Sequence, residues 1–443
     1  MRFLKNIFLA NRLYTVLFIL ITAFLLGFVW PLSFTAAQIG LLILAASVIA
    51  DGLILFAVNQ GVTGDRHMAD RFSNGDDNHI QIVLINNYSI DIRCLVYDEL
   101  PFQFQKRNFV FDVHIPSNKK QVLTYKLRPV QRGTYAFGAL NVYVSSALNL
   151  LQRRYQFDVG KLVAVYPSFI QMHRYELLTI NDRLRQAGIK KVRRVGHTFE
   201  FDQIRDYVVG DDYRAVNWRA TARRASLMVN QYQDEITNHI YNIIDSSRNM
   251  QKAFSGMTLM DYAINTSLVL SNTAVLKKDC AGLITFTDKI QTFIPADKRR
   301  RQMYTILEAL YNLNTAFLEA DYRTVFSYIK GKLTRRCLLI VYTNYESLSA
   351  MKRQLAWLKE LARLHLLLIV FFEDQEILEM TRREAKSIAA IYDKVIAEEF
   401  LFEKRQMVRE LQQAGINAIL TSPEMLTVNT LNKYLEFKSR GFI

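Results

Sequence analysis

The feature that most constrains this chain is a pair of long apolar runs close to its N-terminus. No charged residue occurs between Leu13 and Trp30, and the run from Ile39 to Val58 carries only Asp51. A helix needs about 20 mostly apolar residues to cross the hydrocarbon layer of a membrane, and both runs come close to that length. We therefore predict two transmembrane helices that form an anchor over residues 1–60.

The charges around these runs predict how the anchor is oriented. Arg2, Lys5 and Arg12 precede the first run, no basic residue separates the runs, and Arg66 and Arg71 follow the second. Because cytoplasmic loops carry an excess of Lys and Arg, the N-terminus and everything after the anchor are predicted to be cytoplasmic. A cleaved signal peptide fits less well, since the first run is long and a second follows at once.

Asp51 admits two interpretations. A carboxylate within a membrane-spanning helix often belongs to a functional site. A carboxylate near the cytoplasmic end of such a helix instead reaches the lipid headgroups and water, and this second interpretation suits the position of Asp51 better.

Short alternating runs between residues 70 and 168 predict a small β-sandwich that acts as a spacer. Stretches such as HIQIVLINN and QVLTYKLRPV alternate apolar and polar residues and are bounded by Asn, Gly, Pro or Ser. Many short strands of this kind, with no helical pattern between them, are typical of a sandwich. A helical linker is predicted to follow over residues 169–195.

From residue 196 to residue 443 the pattern changes to strands that alternate with helices. The runs HIYNIID, AGLITFTD, RCLLIVYTN and HLLLIVFFED are almost entirely apolar, and segments between them, such as Thr258–Leu276, have helical periodicity. This alternation predicts an α/β domain whose mostly parallel sheet is covered by helices on both faces. In such sheets, ligands bind at the carboxyl ends of the strands.

Oxygen-bearing residues stand at the ends of three of these strands. Asp245, Ser247 and Asn249 follow the first strand, Thr287 and Asp288 end the second, and Asn344 follows the third. Carboxylate, hydroxyl and amide oxygens suit a hard cation such as Mg²⁺, although Asp245 would be its only charged ligand. Alternatively, Asp245 and Ser247 bind backbone N–H groups and cap the next helix. Both interpretations stay open.

A dense set of residues precedes the strand that ends at Asp245. In chain order its members are Glu200, Phe201, Arg205, Tyr207, Gly210, Asp211, Arg214, Trp218, Thr221 and Arg223. Their order resembles the hallmark of the family called domain of unknown function 58. The strand that ends in Asp245-Ser246-Ser247 is similar to the metal-ion-dependent adhesion site of von Willebrand factor A domains.

This resemblance implies a three-part fold: two transmembrane helices, a small β-sandwich and a C-terminal von Willebrand A-like α/β domain. Members of the family are anchored in the bacterial cytoplasmic membrane and are often associated with MoxR-type AAA+ ATPases. The resemblance therefore implies an adaptor that faces the cytoplasm and helps to assemble or activate envelope or metal-cofactor complexes. Asn249 and Asn344 stand where the adhesion-site pattern has Ser and Asp, so the implied metal site is degenerate.

The residues of the hallmark also suggest individual roles. Asp211 and Arg214 are close enough in sequence to brace a loop by a charge-assisted hydrogen bond. Trp218 is predicted to be a large apolar anchor beneath that loop. The arginines Arg219, Arg223 and Arg224 are the predicted points of contact with a partner.

The motifs of several enzyme classes are missing from the sequence. It contains no GxxxxGK[ST] phosphate loop, GxSxG elbow or HExxH pair, so we predict that the protein is neither an ATPase nor another enzyme. The net charge is +15, but no recognisable nucleic-acid module accompanies it, so a lipid bilayer is expected as a partner rather than a specific nucleic acid. Two alternatives remain. One is a metal-dependent hydrolase or ligand-binding protein that uses Asp245, and the other is polyanion binding through the basic surface.

Overall fold

The computed structural model describes residues 6–107, 109–180, 200–209, 211–233, 237–315, 317–384 and 387–442. The chain divides into two compact units, Met1–Tyr166 and Pro167–Ile443. Each unit has its own apolar core, so each is described by itself.

The N-terminal unit combines two apolar helices with short strands. In chain order its elements are β1 (Ile7–Leu9), α1 (Asn11–Leu26), α2 (Pro31–Ala57), β2 (Val62–Met68), β3 (Arg71–Ser73), β4 (Asn78–Asn86), β5 (Ile92–Asp98), β6 (Val110–Ile115), β7 (Lys120–Leu127), β8 (Gly133–Phe137), β9 (Leu140–Ser145), β10 (Leu151–Phe157) and β11 (Lys161–Tyr166). Alternate residues of β4 are buried, among them Ile80, Ile82 and Leu84. This is the pattern that predicted the strand.

The prediction of two membrane-spanning helices is wrong. Within the described residues, only α2 is long and apolar enough to cross a membrane, and a signal sequence would pass the same test. Helix α1 has 16 residues and is about 24 Å long, which is short of the roughly 30 Å hydrocarbon layer. It cannot be extended at its N-terminus, because β1 pairs there with Leu151–Arg153.

The predicted sandwich of two sheets is also wrong, because this unit is a β-rich domain with three sheets. Their strand orders are β1-β10-β9-β5-β6, β2-β4-β7 and β3-β11-β8. Strand β1 comes from residues that were assigned to the anchor, and β2 lies between the predicted anchor and the predicted sandwich. The short β3 pairs in parallel with β11. The strand content of this region is therefore larger than the alternating runs alone indicate.

Asp51 connects α2 to the β-rich domain. Its side chain is fully buried and accepts hydrogen bonds from the Ser146 hydroxyl and from the backbone N–H groups of Leu150 and Leu151, the last two at 3.0 and 2.8 Å. The carboxylate therefore holds the helix against a turn of the domain instead of reaching headgroups and water.

Arg153 completes the attachment of α2. Its Nη1 atom donates to the backbone oxygens of Leu55 and Val58, each at 2.7 Å. Carbonyl groups at the end of a helix lack partners within the helix, and a basic side chain is well suited to satisfy them. The last turn of α2 is thus fixed by a residue of β10.

The C-terminal unit alternates helices and strands. In chain order its elements are α3 (Phe169–Ile180), β12 (Glu200–Asp206), α4 (Trp218–Arg224), β13 (Met228–Gln233), β14 (His239–Asp245), β15 (Ala253–Phe254), β16 (Met257–Thr258), α5 (Leu259–Leu276), β17 (Cys280–Phe286), β18 (Ile290–Asp297), α6 (Arg301–Asn312), α7 (Tyr322–Lys332), β19 (Leu338–Tyr342), α8 (Leu348–Leu364), β20 (Leu366–Phe372), α9 (Gln375–Arg382), α10 (Ile388–Gln413), β21 (Asn417–Thr421) and α11 (Leu426–Ser439). Of the predicted linker, residues 181–195 lie outside the described residues.

The main sheet is mixed, so the expectation of a mostly parallel sheet needs correction. Its order is β18-β17-β14-β19-β20-β21. The pairs from β17 to β21 are parallel, whereas β18 is antiparallel to β17. The turn between β17 and β18 is too short for the crossover that a parallel neighbour requires. This unit also contains two separate small antiparallel sheets, β12-β13 and β15-β16.

A buried polar cluster holds the last helix in place. The Tyr434 hydroxyl and the Lys438 ammonium of α11 both donate to Oδ2 of Asp279, each at 2.6 Å, and Asp279 is fully buried just before β17. A buried carboxylate needs such partners to offset its lost hydration. The residues Tyr434 and Lys438 therefore fix α11 to the start of a central strand.

Candidate functional site

Asp245 ends β14 at the carboxyl edge of the sheet and is almost fully buried, with 1% of its surface exposed. Its Oδ1 atom accepts a hydrogen bond from the backbone N–H of Ser247 at 2.9 Å, and its Oδ2 atom accepts from the Thr343 hydroxyl at 2.7 Å. The Tyr322 hydroxyl donates in turn to Thr343 at 2.8 Å. A chain of hydroxyl groups thus orients the carboxylate.

The electrostatics of this site are those of a buried acid without a basic partner. Burial raises the pKa of Asp245, and the hydrogen bonds from Ser247 and Thr343 act in the opposite direction but more weakly. The pKa of Tyr322 is raised by burial and then by the charge of Asp245. No cation is among the groups that shift the Asp245 pKa. A proton or a bound cation would relieve the cost of this charge.

Three of the four predicted ligands follow one strand in close succession. Ser247 and Asn249 lie two and four residues after Asp245, and Ser247 Oγ and Asn249 Oδ1 are buried without a well-formed hydrogen bond. These two oxygens are available to a cation, whereas Asn344 Oδ1 is not, because it accepts a hydrogen bond from the Lys404 ammonium at 2.6 Å. Among the described residues, no cluster of three His, Cys, Asp or Glu side chains could hold a metal ion. Binding of Mg²⁺ stays a prediction.

Lys404 is a notable residue that the sequence analysis missed. It lies on α10, half-buried, and donates to Asn344 Oδ1 and to the backbone oxygen of Tyr345. Burial, followed by the nearby charge of Lys252, lowers the pKa of Lys404 to about 8. Its contacts are about 60 residues away in sequence, so no local pattern marks it.

A cavity of about 380 Å³ adjoins Lys404. It opens where β19, β20 and β21 end, and its wall includes Phe254, Phe372, Phe400 and Leu401. This is the edge at which sheets of alternating strands and helices bind their ligands, and a cavity of this size lies in the range of small-molecule sites.

The residues that resemble the family hallmark lie on a hairpin, β12-β13, whose connecting segment is linked to β12 by an ion pair. Arg205 donates from Nη1 and Nη2 to the two carboxylate oxygens of Asp211, at 2.8 and 2.7 Å, and Asp211 also accepts from the N–H of Val208 at 2.9 Å. This pairing lowers the pKa of Asp211. The predicted brace between Asp211 and Arg214 is wrong, because Arg214 instead lies beside Tyr213.

Two further polar residues shape the hairpin. Asn217 caps α4, since its Oδ1 accepts from the N–H of Ala220 at 3.0 Å, and the Thr221 hydroxyl accepts from the N–H of Met228 at 3.0 Å. Thr221 therefore has a structural role.

The half-buried Tyr207 lies in the loop after β12, and its N–H donates to the backbone oxygen of Leu227 at 2.8 Å. Of the remaining hallmark residues, the side chains of Glu200 and Phe201 and all of Gly210 lie outside the described residues.

The large apolar side chains of the hairpin face solvent. Trp218 is 71% exposed, Tyr213 is 71% exposed and Val209 is 95% exposed. The prediction of Trp218 as an anchor beneath the loop is therefore wrong, and among the described side chains of β13 the buried apolar ones are Met228 and Val229. The exposed arginines are Arg214, Arg219, Arg223 and Arg224. We call the set Val209, Tyr213, Trp218, Arg219, Arg223 and Arg224 the hairpin surface.

Residues 203–378 match the family model described as "Protein of unknown function DUF58". The matched segment contains most of the hairpin, the Asp245 site and part of the cavity wall. A curated relative is the "Uncharacterized protein YeaD" of Bacillus subtilis (strain 168), which is 25% identical over 129 residues. That alignment covers 29% of this chain and 31% of the relative, so this chain spans about a third of the relative's length.

Solved structures resemble parts of the chain only distantly. The conserved hypothetical protein BatB from Bacteroides thetaiotaomicron is 9% identical, covers 46% of this chain and 99% of its own, and has a TM-score of 0.30. A PapD-like domain of human CEP192 is 14% identical, covers 25% of this chain and 87% of its own, and has a TM-score of 0.19. Likenesses of this strength carry no argument about function.

Proposed function

We propose that this protein is a membrane-anchored adaptor that faces the bacterial cytoplasm and works with a MoxR-type AAA+ ATPase, in the assembly or activation of envelope or metal-cofactor complexes. The observation that supports this proposal is the hairpin surface. Trp, Tyr and Arg contribute most of the binding energy at protein interfaces, and Trp218, Tyr213 and three arginines are exposed there.

The chemistry of the hairpin surface suggests the complementary surface on the partner. Arg219, Arg223 and Arg224 attract carboxylates, while Trp218 and Val209 favour an apolar contact that excludes water. The ATPase is therefore expected to present an apolar patch rimmed by acidic side chains. The ion pair between Arg205 and Asp211 links the end of β12 to the segment that follows it, and ordering of this kind reduces the entropy lost on binding.

Membrane attachment through α2 is part of the same proposal. The helix is long and apolar enough to cross a membrane, and Asp51 and Arg153 fix its last turns to the β-rich domain. The basic residues Arg66 and Arg71 follow it, as expected for a cytoplasmic end. The proposal also includes a degenerate adhesion site at Asp245, which the sequence resembles.

The proposal is tested by affinity capture of the full chain from native membranes after gentle solubilisation, with bound ATPases identified by mass spectrometry. The variant Trp218→Ala should retain at least ten-fold less ATPase than the wild type, since it removes the largest exposed side chain of the hairpin surface. Tyr304→Ala is the matched control, because Tyr304 is a comparably exposed aromatic residue on α6.

The outcomes separate the parts of the proposal. If Trp218→Ala and Tyr304→Ala recover equal amounts of ATPase, the hairpin surface is not the contact. If the wild type recovers no MoxR-type ATPase, the adaptor function itself is wrong. Repeating the capture in Mg²⁺ and in EDTA decides whether a metal is needed for this contact.

A second candidate is a metal-dependent hydrolase or ligand-binding protein that uses Asp245. It is favoured by the buried oxygens Ser247 Oγ and Asn249 Oδ1, which lack a well-formed hydrogen bond and belong to residues two and four positions after that carboxylate. If Mg²⁺ binds there, it should raise the melting temperature of the wild type but not of Asp245→Ala. A hydrolase should also turn over its substrate without any ATPase, and Asp245→Ala should lose that activity.

A further inference from the structure

The cavity beside Lys404 has a structure that the adaptor function does not explain. It is bounded by residues that follow three neighbouring strands of the main sheet, namely Asn344 after β19, Asp374 after β20 and Pro423 after β21. Helix α10 closes one side with Phe400, Leu401 and Lys404. Residues so far apart in sequence converge here because parallel strands end at one edge of the sheet.

The walls of the cavity are mainly apolar. Leu259, Phe372 and Leu401 are buried behind it, and Phe254 and Phe400 lie nearer its opening. A cavity lined in this way excludes water from one face of its occupant, so it favours a ligand with an apolar body. Its volume of about 380 Å³ admits a compact molecule and excludes a folded chain.

The Lys404 ammonium is a polar group of the cavity wall that can bind a ligand, and the other lining ammonium, that of Lys252, is paired with Asp374. The Lys404 ammonium has three N–H donors, and its two partners are the neutral oxygens of Asn344 and Tyr345. Among the described ion pairs, none places a carboxylate within 4.0 Å of this ammonium. One N–H of Lys404 is therefore left for an occupant of the cavity, while the charges of Glu403, Asp374 and Glu346 act on the ammonium from a greater distance.

The carboxylates of the cavity wall are already paired with other cations. Asp374 binds Lys252 and caps α9, Glu346 lies 3.9 Å from Arg248, and Glu373 lies 4.0 Å from Arg405. The three carboxylates of the cavity wall outnumber its two ammonium groups, Lys252 and Lys404, so a dianion such as a phosphate ester is less favoured than a monoanion. The carboxylates tolerate a single negative charge that is placed directly on the spare N–H of Lys404.

We propose that this cavity binds a small monocarboxylate with an apolar body, whose carboxylate accepts a hydrogen bond from the Lys404 ammonium. The apolar part of this ligand lies against Phe372 and Leu401, and its carboxylate accepts a hydrogen bond from the third N–H of the Lys404 ammonium. The inference goes beyond the adaptor function and holds whether or not an ATPase binds the hairpin surface.

The test compares two probes that differ only in the polar group, 3-phenylpropionate and 3-phenylpropan-1-ol. Calorimetric titration of the full chain in lipid nanodiscs, with empty nanodiscs as the blank, gives the affinity for each. The carboxylate should bind at least ten-fold more tightly than the alcohol, because only the carboxylate makes a charge-assisted hydrogen bond. Equal affinities, or no binding of either probe, would overturn the proposal.

Two variants test whether Lys404 causes the preference for the carboxylate probe. Lys404→Met keeps the length of the side chain and should weaken carboxylate binding at least ten-fold, while binding of the alcohol changes by less than about three-fold. Lys359→Met removes an exposed lysine of α8 and should leave both affinities unchanged. If Lys404→Met leaves the carboxylate affinity intact, the assignment is wrong.

A labelling experiment on the wild type does not depend on the folding of a variant. Acetylation at pH 8, mapped by mass spectrometry, should modify Lys404 more slowly in the presence of 3-phenylpropionate than in the presence of the alcohol. Lys359 provides the internal reference. Equal rates at Lys404 with both probes would contradict the proposed contact.

Discussion

Substitution of Asp51 tests how α2 is attached to the β-rich domain. Oδ2 of Asp51 accepts from the N–H groups of both Leu150 and Leu151, while Oδ1 faces the Ser146 hydroxyl, and all of these atoms are buried in the interior. Asp51→Ala removes both acceptor oxygens. The two backbone N–H groups then lose charge-assisted bonds worth about 1.5–3 kcal/mol each.

The loss for Asp51→Ala therefore amounts to about 4 kcal/mol in the free energy of local opening. Asp51→Asn is the matched variant, because one amide oxygen can still accept from Leu150 and Leu151 while the amide NH₂ donates to the Ser146 hydroxyl. Only the charge assistance is lost, and the expected cost is about 1 kcal/mol.

Hydrogen exchange of the full chain in nanodiscs, followed by mass spectrometry, measures this difference directly. The Leu150 and Leu151 amides should exchange about 1000-fold faster in Asp51→Ala and about five-fold faster in Asp51→Asn. An equal effect of both variants would mean that the negative charge of Asp51, and not its acceptor oxygens, is what matters. No change in Asp51→Ala would refute the proposed attachment.

Three further predictions concern the C-terminal unit. The pKa of Lys404 is about 8 in the folded protein and about 10.4 in an unfolded chain, so the unfolded state binds more protons between these pH values. The free energy of unfolding should therefore rise by up to about 3 kcal/mol from pH 8 to pH 10.5. Denaturant titrations of Lys404→Met should show no such rise. Tyr434→Phe removes one donor from the buried Asp279 and should lower the unfolding free energy by about 1–3 kcal/mol, measured in the same titrations; no loss would mean that Lys438 alone holds α11. Arg205→Lys cannot reproduce the bidentate contact with Asp211, so amide exchange in the hairpin loop should accelerate several-fold, and unchanged exchange would show that this ion pair does not brace the loop.

Periodic patterns predicted many individual elements well. The helix predicted over Thr258–Leu276 is observed as α5, with Thr258 as its N-cap and Asp261 completing the capping box. The run RCLLIVYTN contains β19, and each of its residues from Leu338 to Tyr342 is buried. Burial on every side imposes a strong constraint on local sequence, so these elements can be recognised without the rest of the fold.

Features that depend on distant partners could not be predicted in this way. The number of membrane-spanning helices was misjudged because β1 pairs with Leu151–Arg153 and so prevents α1 from extending at its N-terminus. Lys404 was missed because its partners lie about 60 residues away in sequence. Trp218 was predicted to be buried because a single aromatic residue at the start of a short helix carries no local sign of its exposure. Asp245 and Ser247 were found, since they follow an obvious strand, but the binding of Lys404 to Asn344 requires the folded sheet.

The pairing of β1 with β10 has a consequence for the order of events during synthesis. β1, α1 and α2 leave the ribosome first, yet the strand that receives β1 and the turn that receives Asp51 begin about 90 residues after α2 ends. At about 5–20 residues per second, these apolar helices exist for about 5–20 s without their docking partner. During this interval the apolar surfaces of both helices are exposed to whatever surrounds the nascent chain, because the domain that later binds them has not yet been made.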